Sequence, residues 1–494
     1  MSLHDVQQTT VTAAEPSPKT TRTLPLRALI LRLHFYAGIL IAPFLLIATI
    51  TGGLYALAPA LEKVLYRDYL TVDSSGPALP LHEQVEAAQR SVPNLTVSAV
   101  RPAAAPERTT WVLFDDPELG ESERRAVFIN PGTAEATGES VVYGSSGALP
   151  MRAWISQLHR HLHLGDPGRI YSELAASWLW VVAFGGVYLW VARYRTERAR
   201  NRETARLLTV DRGSAGRKRT LNWHGVAGVW IAAGLVFLSA TGLTWSKYAG
   251  ENIGDLRTAM SWTTPQLDRT LTGTDDVVAG GGHHHGHGGG SATDADPGVL
   301  THSLENLDSV LATARNNDIS GPVEIAIPGA ADTAFSVTQT RQPWRFATSA
   351  VAVDGETGAV TDVNRFEDWP VAAKLTAWGI SLHMGLLFGL SNQSALALLA
   401  AVLVTVIVRG YAMWWQRRPT RGNRRFGKAP ARGGLRGVSP VVAVPLVVCA
   451  ALVGWFVPLL GVSLLGFLAI DVLLGAVNRH ETRRAESRRN VTSV

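Results

Sequence analysis

The sequence predicts a membrane protein: an α-helical bundle of about six transmembrane helices, built as duplicated two-span halves plus a C-terminal hairpin, with two extracytoplasmic α+β domains. Three observations predict it. The 46% hydrophobic content is gathered into blocks rather than spread evenly. Several blocks reach the ~20 apolar residues that a bilayer crossing needs. The chain also repeats itself. His34 to Gly52 reads HFYAGILIAPFLLIATITG, and His224 to Gly242 reads HGVAGVWIAAGLVFLSATG, each with His first, Gly four places on (Gly38, Gly228) and a Thr-Gly pair at the same spacing. The histidine recurs, not merely the oiliness.

Candidate spans cover roughly 30–58, 170–192, 222–246, 391–416, 439–457 and 460–477. Arginines cluster after the second span (Arg193, Arg195, Arg198, Arg200), after the fourth (Arg417, Arg418, Arg421) and in the tail (Arg479, Arg483, Arg484). Positive charge stays on the cytoplasmic side, so these segments and the N-terminus are expected there. An even number of spans agrees. The formal charge of +6 therefore marks topology rather than nucleic-acid binding, because the basic residues flank apolar spans. The lone cysteine, Cys449, lies in an apolar run, which excludes an intrachain disulfide, a Cys-rich metal site and covalent c-type haem. No phosphate-cradling loop, dinucleotide fingerprint, Ser-His-Asp set or zincin motif is present.

The chain accordingly divides into a polar tail (1–24), span one (25–58), an outer domain (59–150), a His-bearing segment with span two (151–194), a basic loop (195–219) and span three (220–247). There follow a flexible insertion (248–298), a second outer domain (299–370), a His-bearing segment with span four (371–418), a basic loop (419–437), the hairpin (438–478) and a tail (479–494). In the first outer domain LHEQVEAAQR reads as a helix and LTVSAV, TTWVLF and RAVFIN as strands; in the second, SLENLDSVLATARNN is the helix and PVEIAI, AFSVTQT and ATSAVAV the strands. One helix on a small antiparallel sheet is expected for each.

A constant offset of 224 pairs Trp154 with Trp378, His159 with His383, Gly165 with Gly389, Gly186 with Gly410 and Arg193 with Arg417. The two halves thus run in the same direction, related by an axis along the membrane normal. The first spans are offset by only 190 (224 − 34), so the second half carries 34 extra residues (224 − 190), placed around GGGHHHGHGGGSATDADPG.

Residues that correspond across such an axis approach it as pairs. Here the pairs are His34 with His224, near the cytoplasmic ends of spans one and three, and His159 with His383 on the outer side. Two imidazoles from facing helices are what a planar iron macrocycle takes as axial ligands, and two such levels would form an electron path across the membrane. The plainer reading makes each an interfacial helix-end histidine, and Gly38, Gly52, Gly228 and Gly242 ordinary helix contacts. His163, four residues after His159, would share its helix face and is a reserve ligand or an orienting neighbour, against a merely interfacial role. His283, His284, His285 and His287 form a tract compositionally suited to a transition metal, against incidental affinity of a flexible insertion. Trp178, Trp180, Tyr188, Trp190, Tyr411, Trp414 and Trp415 suit an interfacial aromatic belt.

At RLHFYAGILIAPFLLIATITG, LHRHLHLGDPGRI with GGVYLW, NWHGVAGVWIAAGLVFLSATG, and SLHMGLLFGL with GYAMWWQRRP, the chain resembles the PepSY-associated transmembrane helix family, over about residues 25 to 420. The outer domains, ending in NPGT and DGETG, resemble PepSY modules; NPGTAEATG departs from the usual Asp-Pro-x-Thr-Gly turn. The resemblance implies a haem-containing reductase of the bacterial cytoplasmic (inner) membrane that removes iron from ferric siderophores outside it. By motif, His34, His159, His224 and His383 would hold one or two haem b groups, and none would act as acid or base. The expected partners are the lipid bilayer, a ferric siderophore or other ferric chelate, and a cytoplasmic or quinol electron donor. Two alternatives come from other classes: a non-enzymatic regulatory or peptidase-inhibitory protein anchored by its helices, and a metal or haem transport accessory that uses the histidine tract as collector.

Overall fold

In a bilayer an apolar segment must satisfy its own backbone groups, which favours helices for the long oily runs of this chain. The computed structural model describes residues 25–73, 76–203, 205–271, 303–417 and 439–491, with side chains from 26 to 476. The first half contains α1 (Pro25–Leu40), α2 (Ala42–Leu65), α3 (Arg67–Leu70), α4 (Leu81–Ser91), β1 (Thr96–Arg101), β2 (Thr110–Asp115), β3 (Glu123–Ile129), β4 (Ala136–Tyr143), α5 (Pro150–His161) and α6 (Asp166–Arg200). The second contains α7 (Gly216–Leu243), α8 (Tyr248–Ala259), α9 (Leu307–Asn316), β5 (Val323–Ala326), β6 (Phe335–Gln339), β7 (Ala350–Val353), β8 (Val360–Asn364), α10 (Val371–His383) and α11 (Leu390–Trp415). A hairpin of α12 (Pro440–Phe456) and α13 (Pro458–Val491) follows.

Among the described residues five helices are long and apolar enough to cross a membrane: α2, α6, α7, α11 and the Pro458–Ala476 part of α13. The molecule is a multi-pass membrane protein with an added antiparallel sheet. Two spans differ from the sequence reading. The fifth expected span, α12, is an apolar helix of only 17 residues. The first is interrupted at Ile41, because Pro43 lacks the N–H that would bond the Ile39 carbonyl. That carbonyl instead accepts from the Tyr411 hydroxyl of α11, 3.0 Å away, so the break is satisfied from the other half of the chain.

The core is a ring of four helices, with α6 packed on α7, α7 on α11, α11 on α2, and α2 on α6. The C-terminal hairpin lies outside it, held to α6 by Trp178 Nε1–H donating to Ser463 Oγ at 2.9 Å and to α1 by an Arg32–Asp471 ion pair. Its outer face is bare and apolar, with Val441 82% and Trp455 85% exposed, as a lipid-facing surface requires.

The strand segments fold as two four-stranded meanders. Their sheets are joined: β1 pairs antiparallel with β5 (Ala99 opposite Ala326, Val100 opposite Ile325), giving one eight-stranded sheet in the order β4-β3-β2-β1-β5-β6-β7-β8. Pairing removes the edge that each meander alone would expose. The helices α4 and α9 share one apolar core over the joined sheet, through Val85, Leu307 and Val310 among others. The strands β4 and β8, with few apolar residues, are additions to the sequence reading. So is α8, inside the segment expected to be flexible; its first N–H groups, Tyr248 and Ala249, bond the buried Glu173 carboxylate at 2.9 Å each.

Charge locks the seam. Glu324 on β5 accepts from Arg101 of β1 (Nε, 2.6 Å) and from Arg124 of β3 (Nη1, 3.1 Å), joining the halves across the sheet face. Burial works to raise the Glu324 pKa, but the two guanidiniums outweigh it and hold the carboxyl below its ordinary range. A depressed folded-state pKa contributes stability above the unfolded value of about 4.3, and that contribution is lost as pH falls below it. Glu324→Gln is expected to destabilise the sheet by about 3 kcal/mol, since it leaves two half-buried cations side by side. Thermal melts followed by circular dichroism should show this loss at neutral pH and a smaller difference from the parent near pH 3.

Candidate cofactor site formed by two histidine pairs

Each repeated segment separates its His from the second Gly of its motif by 18 residues (52 − 34; 242 − 224), which is five helical turns and about 27 Å. In α7 the two ends of one helix face therefore carry His224 and the Thr241-Gly242 pair. This geometry sets two levels, one at each end of the four-helix core.

At the first level His34 of α1 faces His224 of α7, with ring centroids 6.4 Å apart and planes at 79°. Glycines of the following span let both rings approach: a Cβ on Gly186 would stand 3.1 Å from His34 Cε1, and one on Gly410 would stand 3.6 Å from His224 Cε1. These glycines obey the 224 offset. His224 Nδ1–H donates to the Val406 carbonyl at 2.9 Å. The corresponding Val182 carbonyl (406 − 224) stands beside His34, whose buried Nδ1 makes no hydrogen bond of regular geometry among the described residues.

At the second level His159 of α5 faces His383 of α10, with centroids 6.5 Å apart and planes at 47°. Here the Thr-Gly pairs act. His159 Nδ1 lies 3.0 Å from Thr51 Oγ1, and His383 Nδ1 lies 2.6 Å from Thr241 Oγ1. Each threonine hydroxyl already donates one turn back, Thr51 to Ile47 O at 2.9 Å and Thr241 to Phe237 O at 2.8 Å. Its oxygen is left to accept, so the proton belongs on Nδ1 of each imidazole and the lone pair on Nε2. Gly52 makes room for the His159 ring, with a Cβ there 3.0 Å from Cε1, while Gly242 sits at an ordinary 3.8 Å from His383. The helix α5 is itself fixed by Glu62 of α2, which accepts from Leu149 N–H at 2.8 Å and Arg152 Nε at 2.9 Å.

The fifth predicted ligand, His163, does not join these levels. His163 does not share a face with His159, because α5 stops at His161 and both Leu162 and His163 take positive φ of 54°. The His163 ring instead stacks on Trp154 at 4.9 Å and its Nε2 bonds the Trp154 carbonyl at 3.1 Å. His283, His284, His285 and His287 lie outside the described residues. The sequence reading missed the Thr51 and Thr241 hydroxyls as histidine anchors, although their recurrence in the repeat was the signal.

Among the described residues no three His, Cys, Asp or Glu gather into a metal cluster. Paired imidazoles alone can supply two opposed ligands to one ion and leave the positions between them to a planar group. With a metal–imidazole bond of about 2.1 Å, and roughly 1.1 Å from Nε2 to the ring centre, two imidazoles opposed on one ion have centroids about 6.4 Å apart. Both observed separations match that figure. Beside the first pair, one turn along each helix, Gly38 and Gly228 have open space where a Cβ would stand. The ring separations are thus compatible with a bis-imidazole iron macrocycle at each level, with open space beside the rings at the first.

A family model described as the PepSY-associated TM region matches residues 31–417. The chain belongs to that family. No curated protein matches it. The matched region holds all four paired histidines and the whole sheet, and ends before the hairpin.

The Nδ1 hydrogen bonds orient the imidazoles, and loss of such a partner ordinarily costs 10- to 100-fold in metal-group affinity. Thr51→Val and Thr241→Val are each expected to weaken haem uptake by roughly that factor with the helical content unchanged. Titration of haem into protein prepared without it checks this; uptake equal to the parent would show that the threonines do not position the ligands.

Proposed function

We propose that this protein is a haem-containing electron-transfer protein of the bacterial cytoplasmic membrane, which reduces ferric iron held by a siderophore or similar chelate on the side of the sheet. The observation that carries the reading is the pair of matched imidazole separations, 6.4 and 6.5 Å, with Nδ1 anchored in three of the four rings. His34 and His224 would hold one haem b and His159 and His383 a second. Bound there, haem supplies one-electron ferrous–ferric chemistry.

The protein's own residues perform the positioning. Thr51, Thr241 and the Val406 carbonyl fix the proton on Nδ1 and leave the Nε2 lone pair of each ring free to bind. The bundle separates the two levels by about 27 Å, close to the thickness of a bilayer core. Electrons would enter at the His34–His224 level from a cytoplasmic partner or a membrane quinol and leave at the His159–His383 level, beside the sheet. The arginine-rich end of α6 and the basic residues after α11 support a cytoplasmic side opposite the sheet. Reduction releases iron because oxygen-rich chelators hold the harder ferric ion better than the ferrous ion.

The purified protein should show a haem band that sharpens with dithionite and is reoxidised on adding a ferric chelate. Replacing either member of a pair by Ala, His34 or His224, His159 or His383, should remove about half of the haem, and the same half within a pair. Pyridine haemochrome assays measure this. Full haem content in all four variants would overturn the assignment.

A further inference from the structure

Beyond the histidine pairs, the second half of the molecule forms a shallow, solvent-open recess between the β6–β7 loop and α10. Its lining includes Arg341, Arg345, Phe346, Phe366, Trp378 and Ser381, and no acidic residue. Ser381 and Trp378 stand two and five residues before His383 on the same helix, about 3 and 8 Å along its axis. The recess thus shares α10 with the histidine level nearer the sheet, on a side of the helix turned away from His383.

Two guanidiniums enter it without a carboxylate. Arg345 Nη1 donates to the Ser320 carbonyl at 2.8 Å, which leaves its charge uncompensated. Arg341 makes no ion pair among the described residues, and the Tyr55 side chain of α2 lies near enough to act on it electrostatically. Burial pushes the Arg341 pKa down, with Tyr55 opposing, so the cation stands in a poorly hydrated place. A desolvated positive charge with no protein counter-ion is stabilised by an external anion. The walls beside the arginines are aromatic: Phe366 lies 5.8 Å and Phe346 6.3 Å from Trp378, and the Trp378 indole is fixed by donation to the Phe346 carbonyl at 2.7 Å. Such faces accept a flat ring, and guanidiniums accept its oxygen anions in a fork.

We infer that this recess is the docking site for the electron acceptor, and that the acceptor is an anionic ferric chelate whose iron is held by aromatic oxygen donors of the catecholate class rather than a neutral hydroxamate complex. The inference rests on the reductase reading and adds the substrate class. One electron passes from the reduced protein to the chelate's ferric iron; no bond to the protein forms and no proton is required. The equivalent place in the first half is different, since Trp154 there stacks on His163.

The test uses the full-length protein in detergent and gallium(III) complexes, which have the charge and shape of the ferric ones and are not reduced. Calorimetry should show the trianionic gallium complex of a hexadentate tris-catecholate binding at least about 100-fold more tightly than the neutral complex of a tris-hydroxamate, and the gap should narrow with salt. Arg341→Gln and Arg345→Gln should each weaken the anionic probe by about tenfold or more while haem absorbance is retained. Arg341→Lys should recover part of the loss. Equal affinity of the parent for both probes would overturn the proposal without any variant having to fold. It would also fall if Arg341→Gln lost haem and not probe affinity, because the anion served would then be a cofactor propionate. Selective probe binding by a protein with no haem band would uphold the docking site and sink the reductase reading, so the two failures are distinct.

Discussion

The arrangement depends on one kind of contact: a ring Nδ1–H given to an oxygen on a transmembrane helix. At the level nearer the sheet that oxygen is the hydroxyl of Thr51 or Thr241, and at His224 it is the Val406 carbonyl. An imidazole so held has its tautomer and its orientation decided together. Of the four paired rings only His34 lacks it. Glycines complete the contact by admitting the rings to van der Waals distance of the neighbouring helix, most closely at Gly52 and Gly186.

The sheet and the bundle hold each other in register. The helix α2 presents Thr51 and Glu62, eleven residues and three turns apart, along one side. Thr51 meets His159 at one end of α5, and Glu62 meets the start of α5 through Leu149 and Arg152. The same α5 follows directly on β4, so the position of the first half-sheet is transmitted to the ligand helix. Joining β1 to β5, and locking the seam with Arg101, Glu324 and Arg124, ties the two halves together beyond the bundle. The distance between His159 and His383 is therefore constrained from above as well as from within the membrane.

Much of this was legible in the residues because duplication writes correspondence into the chain. The 224 offset paired His159 with His383 and Gly186 with Gly410, and the shorter offset paired His34 with His224, before any contact was known. Helix and strand periodicity placed α4, α9 and the strands β1 to β3 and β5 to β7. Three features were not legible. The polar strands β4 and β8 lack the alternation that marks a buried strand. The break at Ile41 was masked by the continuous oiliness of the first span. His163 sits one turn after His159 in number, but the left-handed residues at 162 and 163 end the helix between them.

By itself the sequence determined which residues recur, at what spacing, and on which faces of their own helices, since helical and strand periods are local properties of the backbone. Only the tertiary structure decided that the corresponding imidazoles meet at 6.4 and 6.5 Å, that the two meanders fuse into one sheet, and that Arg341 and Arg345 open onto the α10 helix of His383. Each of those outcomes joins residues far apart in the chain. Side-chain packing and hydrogen bonding across helices and strands bring such residues together, and no local period encodes them.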